Sequence, residues 1–189
     1  MAIQQELSRL YPELKKSMTV GSGKTALQAN MAAYEARKQA KPQAEGWKIF
    51  GIVDNDHTLG SKVGQGSVQI MHIDVDSSTK VGATLSPFEV TLLVMRVYSK
   101  LAEEFLKLKS LAFFLGGDNV MVVSNGVTAS DAESIIKRVS SDVGIKFNCG
   151  IGIGANGRKA AEAATKALDT IRELRDQGEI TPIYEIRCP

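Results

Sequence analysis

The chain has 189 residues, of which 43% are hydrophobic and 23% are charged, a composition typical of one well-buried globular domain with an appendage. Its net charge is +2, with basic residues spread among acids, so the composition gives no strong nucleic-acid or membrane signal. No apolar run approaches the roughly 20 residues that span a bilayer, and we expect no signal segment. The two cysteines show no metal-finger spacing and suit a reducing compartment. We therefore expect a cytoplasmic protein with no membrane partner.

The first 66 residues predict a partly helical N-terminal extension. A polar helix is expected at about 2–15, and an alanine-rich helix from Lys24 to about Gln39. The glycines after Val20 and the alanines that follow them are similar in spacing to a later stretch beginning at Ile151. This internal similarity suggests that residues 1–66 are the remnant of a first copy of the following domain, residues 67–189.

Gly23-Lys24-Thr25 invites comparison with a phosphate-binding loop. That motif needs a further glycine five residues before Gly23, where this chain has Met18. It also needs a clear β-strand directly before it. The residues before Met18 are polar and interrupted by proline. We therefore interpret the segment as a turn followed by a helix start.

From residue 67 the periodicity predicts the order β-α-β-β-α-β, with a further helix and strand appended. The predicted elements are a strand at 67–76, a helix from Ser86, a hairpin over 111–123, a helix from Ser130 to about Val143, a strand at 145–153, a helix ending near Gly178 and a strand at 180–186. Capping boxes are predicted at the first two helix starts, Ser86 with Glu89 and Ser130 with Glu133. The order is that of an α+β, ferredoxin-like sheet, in which the first strand and both hairpin strands lie side by side at the centre.

The helix that begins at Ser86 carries an apolar stripe at helical spacing. Its members are Phe88, Leu92, Met95, Tyr98, Ala102, Phe105 and Leu108. We expect this stripe to be the side of the helix that faces the core.

Carboxylates stand at the end of the first strand of this domain and at the tip of the hairpin. Asp74 and Asp76 leave the same strand face because side chains alternate along a strand, and Asp118 stands on the glycine-rich tip. The predicted topology brings Asp74 and Asp118 together. Acids at the end of an otherwise apolar strand contribute nothing to packing, so the pattern predicts a divalent-cation site.

The strand that ends at Asp76 allows two other interpretations. An apolar strand ending in Asp74-Val75-Asp76 is similar to the haloacid dehalogenase phosphatases, but the hairpin lacks the second acid of their last motif. His72 shares the face of Asp74, and local pairing is its simplest role. A catalytic role for His72 stays open, because the histidine side chain commonly serves as a general acid or base.

Two segments are candidates for binding phosphate. Ser78, Thr79 and Lys80 directly follow the strand acids, where free backbone N–H groups and a positive charge could bind phosphate oxygens. Arg158 and Lys159 begin a later helix, where the helix dipole favours an anion. We predict that both segments contact the phosphate groups of a ligand.

Four motifs carry a resemblance to a known family: Val68 to Asp74, Phe113 to Asn119, Ser124 to Gly126 and Gly150 to Gly154. In order and spacing they resemble the GTP cyclohydrolase III family of the palm, or nucleotidyl-cyclase, superfamily. That superfamily also includes GGDEF diguanylate cyclases, class III adenylyl cyclases and CRISPR polymerase domains. The resemblance implies a palm domain that binds a purine nucleoside triphosphate, with GTP favoured, together with two or more Mg²⁺ ions.

The resemblance also implies roles for the carboxylates. Asp74 and Asp118 would be metal ligands, with the backbone carbonyl of Val75 as a third contact. Asp74, Asp118 and Asp76 would form the catalytic set.

The same resemblance assigns the hairpin tip to the nucleotide. Gly116 and Gly117 would let the nucleotide approach the backbone closely, and Asn119 would lie beside it. All three are therefore predicted to bind the nucleotide.

The implied reaction opens the imidazole ring of GTP to a formylaminopyrimidine nucleotide and releases pyrophosphate. Two departures from the family leave alternatives open: the chain has one complete palm half where the family has two, and Asp76 stands where asparagine is usual. The first alternative is a minimal cyclase-type or CRISPR-polymerase-type synthase of a cyclic mono- or dinucleotide signal in phage defence. The second is a non-catalytic nucleotide sensor. We also expect a homo-oligomer, because the missing half leaves a surface that the family normally covers.

Overall fold

The computed structural model of the chain describes residues 6, 9–12, 17–39, 48–52, 67–76, 84–124 and 126–188. The chain divides into two compact units, Met1–Asn55 and Asp56–Pro189. The predicted domain boundary after residue 66 stays a prediction, since residues 53–66 lie outside the described residues. Within the described ranges, no helix is both long and apolar enough to cross a membrane.

The first unit contains a parallel pair of strands joined by a helix. Strand β1 (Ser17–Gly21) pairs with β2 (Lys48–Ile52), and α1 (Ala26–Gln39) connects them, which confirms the alanine-rich helix. A strand does precede Gly23-Lys24-Thr25, contrary to our expectation. The backbone N–H of Gln28 donates to Thr25 Oγ1 and that of Thr25 to Gln28 Oε1, each at 3.2 Å. Thr25 therefore caps α1, and this reciprocal bonding explains the residue without a phosphate.

The second unit is a five-stranded sheet covered by helices. Its elements are β3 (Val68–Val75), α2 (Pro87–Lys107), β4 (Leu111–Gly116), β5 (Asn119–Val123), α3 (Ala129–Val143), β6 (Phe147–Gly154), α4 (Gly157–Asp176) and β7 (Ile183–Arg187). The strand order is β4-β5-β3-β6-β7; β3 is antiparallel to both neighbours, and β7 is parallel to β6. The ferredoxin-like order with an added helix and strand is confirmed. One detail was wrong, because β5 lies beside β3 whereas β4 lies at the sheet edge.

The main core lies between one face of this sheet and helices α2 and α3. From α2 it receives Val97, Leu101 and Phe105, all buried. Four members of the predicted stripe are instead exposed: Phe88, Leu92, Met95 and Leu108. Helix α2 is apolar on more than one side, so periodicity alone could not identify the side that packs against the sheet.

Helix α3 begins two residues earlier than its predicted capping box. Thr128 is the N-cap: the backbone N–H of Asp131 donates to Thr128 Oγ1, and that of Thr128 donates to Asp131 Oδ2, each at 3.1 Å. Glu133 lies further along the helix and pairs with Lys137 at 2.7 Å. Helix α2 does begin with the predicted box of Ser86 and Glu89.

The opposite face of the sheet packs against α4 through glycines of β6. A Cβ built on Gly152 would lie 2.0 Å from the carbonyl oxygen of Ala160, and one on Gly150 would lie 2.1 Å from that of Ala164. The helix backbone therefore lies directly on the strand. This close packing fixes α4 over the strands that carry the predicted site.

The two cysteines differ in environment, and we expect them to differ in reactivity. Burial, followed by the negative charge of Asp74, raises the pKa of the Cys149 thiol to about 12 from an ordinary 9.0, and Cys188 is only partly buried. Because the thiolate is the reactive form, a thiol reagent at pH 8 should label Cys188 and spare Cys149 until the protein unfolds. Mass spectrometry of the labelled protein measures this; rapid labelling of Cys149 in the native Cys188→Ser variant would contradict it.

The raised pKa of Cys149 also predicts that the protein becomes less stable at high pH. The folded state holds the thiol proton more tightly than the unfolded state. The resulting stabilisation is complete below pH 9.0 and is lost as the pH rises towards about 12. The unfolding free energy of the wild type should therefore fall more steeply above pH 9 than that of Cys149→Ala, by up to about 1.4 kcal/mol per pH unit. Urea unfolding of both proteins across this range checks the difference.

Candidate active site

Asp74 lies near the end of β3 on the face that α4 covers. Its side chain is only 8% exposed, and Arg172 of α4 donates from Nη2 to its Oδ2 at 2.6 Å. The other oxygen, Oδ1, is buried and has no hydrogen-bond partner among the described residues. The hydrogen bond to Asp74 raises the pKa of the Arg172 guanidinium above its ordinary value. A buried carboxylate with one unsatisfied oxygen is a costly feature that a bound cation would satisfy.

Asp76 follows β3 and shares the face of Asp74, as predicted. Its Oδ1 accepts a hydrogen bond from Nη1 of Arg175 at 2.9 Å, and its backbone N–H donates to the carbonyl oxygen of Lys146 at 2.8 Å. The two strand acids therefore each face an arginine of α4. Neither arginine was among the predicted site residues.

The hairpin tip turns on two glycines with positive φ. Gly116 has φ 108° and Gly117 has φ 60°, conformations that side-chain-bearing residues rarely adopt. A Cβ on Gly116 would meet nothing within 4 Å. Backbone geometry thus explains both glycines, and their predicted contact with a nucleotide stays a prediction.

Strand pairing brings the hairpin tip to the end of β3 that carries the acids. The last paired residues are Ile73 of β3 and Val120 of β5. Because the strands are antiparallel, continuing this register sets Asp74 beside Asn119 and carries Asp118 just past it. The register thus brings the hairpin tip to the same end of the sheet as Asp74, and a metal shared by Asp74 and Asp118 stays a prediction.

A chain of polar side chains runs from α4 to the tip carboxylate. His72 Nδ1 lies 3.4 Å from Thr165 Oγ1, and its Nε2 lies 2.9 Å from Asn119 Oδ1. Asn119 Nδ2 then donates to Asp118 Oδ1 at 3.0 Å. His72 therefore contacts a predicted site residue, beyond the local pairing that we took as its simplest role.

A cavity of about 600 Å³ lies on the other face of the sheet, beneath α2. Its volume is within the range of roughly 300–1,000 Å³ typical of small-molecule sites. The lining is mostly apolar, with Asp118 as its carboxylate: Val75, Val90, Thr91, Leu93, Val94, Met95, Val97, Phe114, Gly117, Asp118, Val120 and Ile145. Three predicted site residues, Val75, Gly117 and Asp118, thus share one cavity.

The donor groups fit a hard divalent cation. Asp74 offers its unpartnered Oδ1, and Asp118 uses only Oδ1 in its contact with Asn119. Carboxylate and carbonyl oxygens are the ligands that Mg²⁺ prefers, and this ion keeps several waters or phosphate oxygens in its shell. Within the described ranges no three His, Cys, Asp or Glu side chains converge. A metal here would therefore rely on two carboxylates, the predicted carbonyl of Val75 and non-protein ligands.

The other two sets of predicted nucleotide-binding residues have different outcomes. Ser78, Thr79 and Lys80 lie outside the described residues. Arg158 and Lys159 lie at the start of α4, beside the end of β6 that pairs with Val68. Asp74 lies six residues beyond Val68 along β3, about 20 Å at the usual rise. The structure therefore does not bring Arg158 and Lys159 to the carboxylates.

Arg172 and Arg175 take the position near the acids instead. They continue the helix face whose earlier members pack on β6: Ala160, Ala164, Leu168 and Ile171. The signal that could have identified them was this spacing, since Arg172 follows Leu168 by four residues and Arg175 follows it by seven.

Comparison with known proteins decides the family. The family profile described as GTP cyclohydrolase III matches residues 1–184. The chain belongs to the GTP cyclohydrolase III family. A relative of that name from Methanobrevibacter smithii is 30% identical over 187 residues, covering 98% of this chain and 72% of the relative. Another, from Methanocaldococcus jannaschii, is 34% identical over 182 residues, covering 95% of this chain and 66% of the relative.

These matches confirm the predicted family, and its name is that of an enzyme that acts on a nucleotide. Solved structures show the fold. The coiled coil and GGDEF domain of DgcB from Caulobacter crescentus aligns with TM-score 0.51 at 16% identity, covering 69% of this chain and 76% of that one. An active GGEEF domain of a diguanylate cyclase from Vibrio cholerae aligns with TM-score 0.50 at 10% identity, covering 70% and 90%. This GTP cyclohydrolase III family member therefore has a palm domain, as predicted.

Proposed function

We propose that this chain is a magnesium-dependent enzyme that acts on GTP, opening the imidazole ring to a formylaminopyrimidine nucleotide with release of pyrophosphate. The observation that carries the proposal is a buried oxygen of Asp74 that has no partner among the described residues. Asp74 lies near the end of β3, the strand that pairs with β5 of the Asp118 hairpin, in a chain of the GTP cyclohydrolase III family. Relatives that bear this name match most of the chain.

The cavity under α2 is the place for the purine base in this proposal. Apolar side chains such as Val94 and Phe114 can contact a flat heterocycle, and Thr91 adds a hydroxyl to the lining. The triphosphate then extends towards Asp118. Ser78, Thr79 and Lys80 come from the segment that directly follows Asp76, so they remain candidates for the phosphate oxygens.

The carboxylates and arginines of the site have complementary roles. Asp74, Asp118 and the carbonyl of Val75 would hold Mg²⁺, which when bound neutralises phosphate charge and makes a nearby water more acidic. Arg172 forms an ion pair with Asp74 at 2.6 Å. The Arg172 side chain is 47% exposed, so in this proposal it can also reach a phosphate oxygen of the substrate.

A second candidate function is the synthesis of a cyclic mono- or dinucleotide. Asp76 favours it, because Asp74 and Asp76 leave the same strand face in the two-acid pattern that resembles cyclases and polymerases. In that reaction a ribose hydroxyl attacks the α-phosphate, and the same acids serve phosphoryl transfer.

Product identification separates these possibilities. The purified protein is incubated with Mg²⁺ and either GTP or ATP, and the products are identified by mass spectrometry. A formylaminopyrimidine nucleotide with pyrophosphate supports the ring-opening proposal, and a cyclic nucleotide supports the synthase. Bound but unchanged nucleotide would refute both and support a sensor.

We also propose that the first unit is a second copy of the β6-α4-β7 part of a palm domain. Both segments are a parallel strand pair joined by a helix. A Cβ on Gly21 would lie 2.2 Å from both Ala29 O and Ala33 N. A Cβ on Gly152 would likewise lie 2.0 Å and 2.3 Å from the equivalent atoms of α4.

Gly21→Ala should therefore reduce amide hydrogen-exchange protection in β1 and α1. Unchanged protection there would contradict the shared packing.

We expect a homodimer that uses the apolar surface of α2. Phe88, Leu92 and Met95 are 70%, 55% and 43% exposed and recur at helical spacing, and β4 is the nearby edge strand of the sheet. Exposed apolar side chains beside an edge strand of the described sheet are typical of an interface. Light scattering at micromolar concentration should give a dimer for the wild type and a monomer for Phe88→Glu with Leu92→Glu. A monomeric wild type would overturn the prediction.

A further inference from the structure

We infer that His72 is a positioning residue for the metal-binding carboxylate of Asp118, acting through Asn119. The inference rests on the proposed metal site and extends it to side chains that do not touch the metal. It starts from the contacts that join Thr165, His72, Asn119 and Asp118 in one line.

The direction of these hydrogen bonds follows from the chemistry of the side-chain amide. Asn119 donates to Asp118 through Nδ2, so its Oδ1 faces His72 and can only accept. His72 must therefore carry a hydrogen on Nε2. In the neutral ring Nδ1 is then an acceptor, and the Thr165 hydroxyl, 3.4 Å away, can donate to it. Every donor in the line points towards the carboxylate.

This arrangement controls the orientation of Asp118. The tip residue stands on two glycines with positive φ and is exposed, so packing does little to restrain its side chain. Asn119 holds Oδ1, and His72 prevents the Asn119 amide from rotating to present its oxygen to the carboxylate. Oδ2 is thereby left for a cation. Residues that orient metal ligands in this way commonly change metal affinity about tenfold to a hundredfold when they are replaced.

The same contacts connect the hairpin with the helix that holds the other carboxylate. Thr165 and Arg172 both belong to α4, which lies directly on β6. Thr165 orients His72, and Arg172 contacts Asp74. One rigid helix thus sets the geometry of both proposed metal ligands from two of its turns.

The first test uses the metal-free protein. The chain has two histidines, so the His57→Gln variant leaves His72 as the single imidazole signal in a nitrogen NMR spectrum. At pH 8 we expect the Nε2–H tautomer. The Nδ1–H tautomer would overturn the inference, because that ring cannot donate to Asn119.

The second test measures binding of Mn²⁺ alone by electron paramagnetic resonance. His72→Leu should weaken binding about tenfold to a hundredfold, whereas His72→Gln should bind close to the wild type, since its amide N–H can donate to Asn119. Thr165→Val should lose less than His72→Leu. Thr170→Val is the matched control on α4, because among the described residues the Thr170 hydroxyl donates to Lys166 O of its own helix.

The outcomes separate this inference from the proposed function. Equal Mn²⁺ affinity in the wild type and His72→Leu would overturn the positioning role alone, as would equal loss in His72→Leu and His72→Gln. A wild type that binds no Mn²⁺ would overturn the metal site as well. The expected affinities combined with unchanged GTP would support the positioning role and reject the ring-opening reaction.

Discussion

Asp118→Asn should lose most of its turnover and keep its fold. Asp118 is exposed at the hairpin tip, and its contact among the described residues is with the neighbouring Asn119. The substitution removes a negative charge where the proposed metal binds but keeps the shape of the side chain. We expect kcat/KM for GTP to fall by about a thousandfold, which corresponds to about 4 kcal/mol of transition-state stabilisation.

The measurement is steady-state turnover at several Mg²⁺ concentrations, with thermal unfolding to verify the fold. Asp142→Asn is the matched control, because Asp142 is also an exposed carboxylate and pairs with Lys100 at 3.4 Å, away from the cavity lining. It should retain full activity. Normal turnover by Asp118→Asn would refute the assignment of the hairpin carboxylate to the metal.

Much of this site could be predicted because its signals are local. Strand alternation set Asp74 and Asp76 on one face, and the β-α-β-β order then required the hairpin strand β5 to pair beside them. Asp118 follows from that pairing. Each inference used residues within one element or one short connection.

The residues that were missed act across long separations. Arg172 and Arg175 lie near the C-terminal end of α4. They follow Asp74 and Asp76 in the sequence by 98 and 99 residues. Their position depends on how closely α4 approaches β6, and that distance is set by glycines. Arg158 and Lys159 were chosen from the helix dipole alone, which identifies a helix end and does not indicate which edge of the sheet it meets.

The side of helix α2 that packs in the core could not be predicted, for a different reason. Its apolar residues occupy more than one side, so the stripe through Phe88 and the side containing Val97 and Leu101 satisfy the same periodicity. Packing against α3 and the sheet selects the second side. The unselected residues remain exposed and form the surface that we assign to dimer formation.

Gly152→Ala should destabilise the second unit more than most single substitutions. The added Cβ would lie 2.0 Å from Ala160 O and 2.3 Å from Ala164 N, and both are backbone atoms that cannot rotate away. Helix α4 must therefore shift from the sheet and lose part of its buried alanine contacts. We expect a loss of about 3 kcal/mol or more in unfolding free energy, measured by urea unfolding at constant m-value.

Gly157→Ala is the matched control, because it places the same methyl group in the first turn of α4. A Cβ there meets nothing within 4 Å, and Gly157 is not among the glycines with positive φ. Since alanine favours the helix over glycine, this variant should be neutral or more stable by up to about 1 kcal/mol. Because a shift of α4 also moves Arg172 and Thr165, Gly152→Ala should weaken Mn²⁺ binding, whereas Gly157→Ala should not. Similar stability and Mn²⁺ affinity in both variants would contradict the claim that close contact between α4 and β6 sets the geometry of the site.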